Sequence, residues 1–270
     1  MFVVDSGAGD RTPLLVLHGF PTSSWDFAGA VDALATERRV VTFDFLGFGY
    51  SDKPTHLAYS LMEQADVAIA VARASKLDRV HVWAHDMGTS VATELLARRE
   101  RGLLPFAVET LVLMNGSVHI DMASLTIGQR LLRSPLGEVF ARLNNRRSFK
   151  AQMRRVFGTP PREEDLDGMW TLLSRDKGAR LMAKIIRYVG ERSLFHGRWV
   201  GALERLDIPT LVAWGARDPV AVIAIAERLA KEIPKAELVL WPELGHYPQV
   251  EACQRVVQNV AAFLMKNERS

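Results

Sequence analysis

The chain has 270 residues, of which 48% are hydrophobic and 24% are charged, and its formal net charge is +3. Its mean hydropathy is +0.02, and no apolar run approaches the ~18 residues that a membrane helix needs. These values exclude a transmembrane protein and indicate one globular domain with an insertion. A single cysteine, Cys253, excludes an internal disulfide framework and a cysteine-rich metal site. Because the first residues lack the layout of a secretion signal, a cytoplasmic protein is expected.

Short apolar runs alternate with helical patterns along most of the chain, and a first strand is expected almost at the start. The other runs that predict buried strands are rich in valine and leucine and too short for helices: LLVLHG, RVVTFD, VHVWAH, ETLVLMNG, PTLVAWG and ELVLWP. Segments with apolar residues every three or four positions predict helices packed on a sheet: WDFAGAVDALATE, SLMEQADVAIAVARAS, TSVATELLARRERG, VAVIAIAERLAKEI and VEACQRVVQNVAAFLMK. This alternation predicts an α/β fold with a doubly wound, mostly parallel sheet.

The alternation stops after Asn115 and resumes near Pro209. The stretch between them has no convincing strand, and Gly and Pro divide it into short helical patterns. An all-helical insertion between two parallel strands is expected to cover the carboxyl ends of the strands, where open α/β sheets bind ligands. The predicted organisation is a core formed by 1–116 and 201–270, a helical cap over 117–200, and a pocket between them.

Positive charge is concentrated in the predicted cap. Residues 117–200 contain 13 Arg and 3 Lys but 8 acidic residues, whereas the rest of the chain has 18 basic and 23 acidic residues. Such a segment could attract anionic substrates or a membrane surface, although a solvated outer face is the simpler interpretation. Because aromatic interleaving, repeats and a basic tail are all absent from the sequence, nucleic-acid binding is not expected.

The motif AHDMG places Asp86 at a turn between a predicted buried strand and a predicted helix. A strand that runs directly into a helix needs small residues beside the corner, and Ala84 and Gly88 meet this requirement. The side chain between them would be lifted off the sheet, as in a nucleophile elbow with Asp in place of the usual Ser. Asp86 could instead cap the following helix, since Asp is favoured at helix starts. The motif alone leaves both interpretations open.

Two further polar residues follow predicted strands. Asp218 comes after PTLVAWG, and His246 comes after ELVLWP. All three side chains would emerge at one edge of the sheet, in the chain order nucleophile, acid, histidine. A histidine that is merely packed is the alternative for His246, but its place after Gly245 in a loop at this edge favours a functional role.

The segment LVLHGFPTSS follows an early predicted strand. Its His-Gly turn aims the backbone N–H of Phe20 into the predicted pocket, and Met87 would supply a second N–H from the elbow. Together these amides predict an oxyanion hole. Four neighbouring residues are expected to support this arrangement without taking part in the chemistry: His18, Gly19, Pro21 and His85.

Over nearly the whole chain, the motifs HGFPTSSWDF, DFLGFGYSDKP, AHDMG, WGARDPV and GHYPQVE resemble the α/β-hydrolase superfamily, within it the epoxide hydrolases and haloalkane dehalogenases. The segments YSLMEQA and GRWVGAL, together with HGFPTSS, are similar to the mesoderm-specific transcript branch of this group. The resemblance implies an α/β-hydrolase fold and a catalytic triad of Asp86, Asp218 and His246, with no organic cofactor and no metal. It does not identify the substrate.

An aspartate at the elbow implies reaction at an alkyl carbon. A carboxylate, with a reference pKa of about 3.9, is ionised at neutral pH and needs no base for its attack. It would leave an ester on Asp86, which a water activated by His246 would then hydrolyse, with Asp218 orienting the imidazole. Esterases, lipases and serine C–C hydrolases are disfavoured, because the corner carries no hydroxyl.

The resemblance also bears on the leaving group. Dehalogenases of this superfamily usually carry Trp after the nucleophile and often Asn after the His-Gly pair, where this chain has Met87 and Phe20. Epoxide hydrolases of this type use two cap tyrosines to donate hydrogen bonds to the epoxide oxygen. Tyr188 matches the second of these, but 117–200 holds no other tyrosine. Either one donor suffices, or another group such as His119, Trp170 or a water assists.

We therefore expect an epoxide hydrolase that converts a small apolar epoxide, or a related alkyl electrophile, and water into a vicinal diol. A monomer or a homodimer is expected. Haloalkane dehalogenase is the alternative. A hydrolase scaffold retained for non-catalytic binding is a third hypothesis, which would be favoured by loss of a triad residue, whereas all three are present.

Overall fold

The computed structural model describes residues 1–7 and 9–268 and contains one sheet of seven strands. In chain order the strands are β1 (Val3–Asp5), β2 (Leu14–Leu17), β3 (Val40–Phe43), β4 (Arg79–His85), β5 (Ala107–Met114), β6 (Thr210–Gly215) and β7 (Ala236–Trp241). Their order across the sheet is β1-β3-β2-β4-β5-β6-β7, and β1 alone pairs antiparallel. The predicted α/β fold with a mostly parallel sheet is confirmed.

Six helices belong to the parts of the chain that also form the sheet. They are α1 (Ala28–Leu34), α2 (Leu61–Ala74), α3 (Met87–Arg99), α11 (Ile223–Glu232), α12 (Pro248–Glu251) and α13 (Cys253–Lys266). Helix α2 begins with a capping box in which Ser60 and Glu63 bond reciprocally to each other's backbone amides. Among the described residues, no helix has both the length and the apolar character needed to cross a bilayer.

The two faces of the sheet are covered by different helices, because successive residues of a strand point in opposite directions. In β4, Val82 and Ala84 belong to the apolar cluster on one face, whereas Trp83 belongs to the cluster on the other. The first cluster also contains side chains of α2, α3 and α11, and the second contains side chains of α1 and α13. The sheet is therefore buried on both sides, as its valine-rich strands predict.

Seven helices lie between β5 and β6. They are α4 (Ile127–Arg133), α5 (Gly137–Leu143), α6 (Arg146–Met153), α7 (Glu163–Ser174), α8 (Gly178–Ile185), α9 (Tyr188–Leu194) and α10 (His196–Glu204). The segment ARLMAKIIRYVGER, which predicts one helix, is divided into α8 and α9. The division arises because the amides of Val189 and Gly190 bond to carbonyls three residues earlier, at Ile186 and Arg187.

A buried carboxylate joins the helical segment between β5 and β6 to the core. The Glu94 side chain on α3 is 2% exposed and accepts hydrogen bonds from Arg98 on the same helix. It also accepts from Arg198 at 2.7 Å and from the Trp199 indole at 2.9 Å, both on α10. These contacts fix the end of the helical segment against α3.

We expect Glu94→Gln to lower the free energy of unfolding by about 1–3 kcal/mol, because it removes a buried charge that several donors share. Urea denaturation of the variant and the wild type measures this difference. The matched control is Glu100→Gln at the end of α3, whose partner Arg205 is largely exposed. That change should cost less than about 1 kcal/mol, and equal losses for the two variants would contradict the anchoring role of Glu94.

Candidate active site

Asp86 occupies the turn between β4 and α3 in a strained backbone conformation, with φ 46° and ψ −111°. The turn is crowded on both sides. A Cβ on Gly19 would lie 2.6 Å from the Asp86 Cβ, and one on Gly88 would lie 2.4 Å from the Leu17 carbonyl oxygen. Only glycine fits at these two positions, and the packing around them holds Asp86 at a positive φ that non-glycine residues rarely adopt.

The Asp86 side chain points away from the helix that follows it. Its carboxylate makes no capping hydrogen bond to α3, so the interpretation of Asp86 as a helix cap is wrong. Instead, the Phe20 amide donates to Asp86 Oδ2 at 2.8 Å. Within the described structure the Met87 amide makes no such bond to the carboxylate, although Met87 lies at the first, unpaired turn of α3.

Asp218 and His246 form a close pair beyond the ends of β6 and β7. His246 Nδ1 lies 2.6 Å from Asp218 Oδ2, and both residues are buried. The second carboxylate oxygen, Oδ1, accepts the amides of Val220 at 2.7 Å and Ala221 at 3.0 Å. With these bonds the Asp218 carboxylate is fixed, and it fixes the orientation of the imidazole in turn.

Asn115, which directly follows β5, is a further part of this arrangement that the sequence analysis did not assign. Its Nδ2 donates to Asp218 Oδ2 at 2.8 Å and to the carbonyls of Gly215 and Gly245 at 3.2 and 3.3 Å. Its Oδ1 accepts the Gly215 amide at 3.0 Å. The side chain thus ties the segments that carry Asp218 and His246 to each other. The available signal was its place at the carboxyl end of a strand, next to the strand of Asp86.

The charge around His246 favours its protonated form. Burial disfavours the imidazolium, but the Asp218 carboxylate and its hydrogen bond, followed by the Asp86 charge, outweigh burial and raise the pKa of His246 to about 9. Because the Asp86 charge also stabilises this proton, Asp86, Asp218 and His246 are coupled electrostatically. At neutral pH the site therefore holds an imidazolium between two carboxylates.

Two other histidines lie under the site and make hydrogen bonds to its backbone. His85 Nε2 donates to the His246 carbonyl at 2.7 Å, and burial together with the nearby His246 lowers the pKa of His85 to about 3. His18 Nδ1 donates to the Gly19 carbonyl at 2.8 Å, while its Nε2 accepts the Phe45 amide at 2.9 Å. These contacts hold the loop that carries the Phe20 amide and the loop that carries His246.

Tyr188, the first residue of α9, is fully buried near the elbow. Its ring centroid lies 5.8 Å from that of Phe20, and Phe20 and Pro21 are joined by a cis peptide bond. Burial and the Asp86 charge raise the pKa of Tyr188 above its ordinary value, so the phenol stays protonated as a hydrogen-bond donor.

Arg192 stands one helical turn after Tyr188 and was also not assigned by the sequence analysis. It is 2% exposed, donates from Nε to Ser90 Oγ at 2.8 Å, and places Nη2 3.9 Å from Asp86 Oδ1. Its guanidinium carbon lies 4.8 Å from the centre of the Tyr188 ring, a cation–π distance. The interpretation of the basic segment as a solvated face is therefore wrong for Arg192. The available signal was the i, i+4 spacing of Tyr188 and Arg192 on one helix face.

A cavity lies between the sheet edge and helices α4–α8. On the core side it is lined by Phe20, Val220, His246 and Tyr247. The side of the helical segment is mostly apolar, including Leu132, Phe140, Phe149, Met153 and Met182. The Tyr247 hydroxyl donates to the Phe20 carbonyl at 3.5 Å, so it is not a free donor to a ligand in the cavity. The cavity suits an apolar ligand that reaches the imidazole.

Comparison with known proteins identifies the family to which this fold belongs. A family model described as alpha/beta hydrolase fold matches residues 12–252. LipZ of Mycobacterium tuberculosis is 44% identical over 264 residues, covering 97% of this chain and 91% of LipZ. LipZ carries a provisional hydrolase name. The mesoderm-specific transcript homolog protein of Homo sapiens is 35% identical over 253 residues, covering 90% of this chain and 76% of that protein.

A solved structure shares the fold at lower sequence similarity. The structure of a thermophilic esterase from Thermogutta terrifontis has a TM-score of 0.78 at 21% identity, covering 99% of this chain and 93% of that chain. The predicted resemblance to hydrolases and mesoderm-specific transcript proteins is confirmed by the sequence comparisons. The chain therefore belongs to the α/β-hydrolase fold family.

Proposed function

We propose that the protein is a hydrolase with Asp86 as its nucleophile, and that its substrate is a small apolar epoxide. The observation that carries the proposal is the position of Asp86. A carboxylate takes the place of the usual hydroxyl at a strained elbow, with Oδ2 bonded to the Phe20 amide at 2.8 Å. This leaves Oδ1 as the oxygen that can attack a substrate carbon, while Oδ2 remains where charge develops later.

The first step is an attack by Asp86 Oδ1 on an epoxide carbon. The new bond joins this oxygen to carbon, the carbon–oxygen bond of the epoxide breaks, and its electron pair stays on the departing oxygen. Tyr188, kept protonated by its buried position, is the donor that stabilises this oxygen. Carboxylate attack requires no general base, which agrees with an imidazole that is already protonated in the resting site.

The second step is hydrolysis of the ester on Asp86. Its formation removes the carboxylate charge that helps to hold the proton of His246, so the imidazole can release this proton and become a base. His246 then takes a proton from water, whose oxygen attacks the ester carbonyl carbon. The Phe20 amide stabilises the negative charge that develops on Oδ2.

The two steps balance in protons as well as in oxygen. The resting site holds an Asp86 carboxylate and a His246 imidazolium. The alkoxide formed by ring opening takes the proton that His246 releases and becomes a hydroxyl. Hydrolysis then returns a carboxylate to Asp86 and a proton to His246, with a vicinal diol as product. The reaction needs only water as the second substrate, and the pair of Asp218 and His246 is restored in each cycle.

An epoxide is preferred over a haloalkane because of the donors near Asp86. A departing halide is best stabilised by N–H donors in an apolar site. Phe20 and Met87, whose backbone amides are expected to form the oxyanion hole, have no N–H group in their side chains. A buried phenol such as Tyr188 instead matches an opening epoxide oxygen. The apolar lining of the cavity supports an apolar substituent on the epoxide.

A single-turnover reaction with styrene oxide in water enriched in heavy oxygen tests the covalent route. We expect the label in the Asp86 carboxylate after one turnover, because water attacks the ester carbonyl, and mass spectrometry of the Asp86 peptide measures it. In His246→Gln, the same peptide should keep the alkyl adduct and gain no label. A first diol that carries solvent oxygen would exclude this route and favour direct attack by water.

Removal of the phenol tests the choice of leaving group. We expect Tyr188→Phe to slow alkylation by styrene oxide about 10²-fold or more, since general-acid assistance is typically worth that much. Rapid-quench measurement should find ester hydrolysis unchanged, because Tyr188 acts on the first step. Tyr50→Phe, at an exposed tyrosine, is the control and should keep the wild-type rate. Halide release from bromoalkanes, without turnover of epoxides, would favour a dehalogenase.

The proton on His246 can be followed directly by NMR. Its pKa of about 9 exceeds the ordinary value of 6.5, so the stability it contributes is complete below about pH 6.5 and is lost as pH rises towards 9. We expect Asp86→Asn, which imitates the charge loss of esterification, to lower the His246 pKa. Asp218→Asn should lower it further, since Asp218 is the larger cause. An unchanged pKa in Asp86→Asn would contradict the proposed release of the proton.

A further inference from the structure

Three potential ligand side chains meet where the two ends of the helical segment join the core. His119 and Asp121 lie in the loop that leaves β5, and His196 is the first residue of α10, where the segment returns to the core. We call these three residues the hinge cluster. One ring nitrogen of each histidine and one carboxylate oxygen of Asp121 lie within 4.8 Å of one another.

His119 is held in an unusual state for a buried histidine. Its side chain is 0% exposed, and its Nε2 lies 2.6 Å from Glu232 Oε2. Its other nitrogen, Nδ1, is buried and has no hydrogen-bond partner among the described residues. Because buried polar atoms are almost always satisfied, this free nitrogen points to a missing ligand.

The pair of His119 and Glu232 has the form of a metal ligand with its supporting carboxylate. Metal-binding histidines commonly donate the second ring N–H to a carboxylate, which fixes the tautomer and makes the free nitrogen more basic. The rings of His119 and His196 have centroids 5.6 Å apart.

The other two members of the hinge cluster are accessible to an incoming ion. Asp121 is exposed and His196 is half-buried, and both line an open groove with Ser193. Ligand atoms at about 2.0–2.2 Å from one ion lie at most about 4.4 Å apart, so for atoms within 4.8 Å of one another any closure that binding needs is small. The exposed Asp121 can supply it by rotating its side chain.

The charge around the hinge cluster also favours a cation. Glu232 and Asp121 each carry a negative charge, and both contact Arg228, at 2.7 and 3.3 Å. One guanidinium therefore faces two carboxylates beside the hinge cluster. A donor set of two imidazoles and one carboxylate suits a first-row transition ion better than Mg²⁺ or Ca²⁺, which prefer oxygen alone.

We propose that His119, His196 and Asp121 bind one divalent transition ion, with Zn²⁺ as the expected occupant and Glu232 as the supporting carboxylate. Such an ion would join the two ends of the helical segment to each other, and Glu232 would join them to α11 of the core. Since α10 directly follows α9, the ion would also steady the helix that carries Tyr188 and Arg192. The hinge cluster shares no residue with the proposed hydrolase chemistry, so its test is independent of that proposal.

Titration of the metal-free protein with Zn²⁺ in competition with a chromophoric chelator tests the proposal. We expect one ion per chain and a rise in Tm on binding, with at least tenfold weaker binding in His196→Ala and in Asp121→Asn. His56→Ala, which removes an exposed histidine elsewhere, is the matched control and should bind as the wild type does. Equal affinity in all four proteins, or no Zn²⁺ bound to the wild type, would overturn the site.

Two further measurements separate coordination from general surface binding. Co²⁺ in place of Zn²⁺ should give a visible d–d absorption that is lost in His196→Ala, whereas Mg²⁺ should neither bind nor raise Tm. Glu232→Gln should weaken Zn²⁺ binding about 10–100-fold, the usual effect of losing a supporting carboxylate, while the protein remains folded. Full affinity in Glu232→Gln together with an unchanged Co²⁺ spectrum in His196→Ala would contradict coordination by the hinge cluster.

Discussion

The positive φ of Asp86 is the constraint on which the arrangement of the site depends. A residue with φ 46° is strained, and it stays there because Gly19 and Gly88 let the neighbouring backbones approach within contact distance. This approach brings the Phe20 amide to the Asp86 carboxylate. It also sets the direction of α3, on which Ser90 and Glu94 receive the arginines of the helical segment. Packing and hydrogen bonds from the loop of Phe20, from α3 and from the helical segment thus offset the backbone strain at Asp86.

The buried carboxyl groups near His246 differ in their charge. Asp218 accepts several N–H donors and stays paired with His246, and Asp86 lies near both His246 and Arg192. Asp26 is buried close by, and burial raises its pKa to about 8, so at neutral pH it is mostly the uncharged acid. As the uncharged acid, Asp26 does not add to the charges that stabilise the imidazolium, which come from Asp218, Asp86 and Glu251.

Much of the fold could be predicted from the sequence, because period and length distinguish its elements. The strands β2 to β7, most of the core helices and the helical segment between β5 and β6 follow from apolar spacing. The division of α8 from α9 could not be predicted, since it depends on local hydrogen bonds that leave the apolar pattern unbroken. The positions of Asp86, Asp218 and His246 could be predicted because each follows a strand.

The residues that the sequence analysis did not find are those whose partners are remote in the chain. Asn115 binds groups about 100 or more positions away, and Arg192 donates to Ser90, which is 102 positions earlier. Neither contact leaves a local pattern, and an arginine in a basic segment ordinarily indicates a solvated surface. The cluster of His119, Asp121 and His196 escaped notice for the same reason, because only folding brings the two ends of the segment together.

The unequal attachment of the helical segment has a consequence for how a ligand reaches the cavity. Its second half is anchored by Glu94 and by the buried guanidinium of Arg192, and lifting it away would strand these charges without partners. Its first half, α4 to α6, exposes Ile127, Leu136 and Leu143 to solvent and lines the cavity on its inner side. We therefore expect a ligand to reach the cavity past α4 to α6, because the ion pairs of these helices among the described residues are made within the helical segment and not with the core.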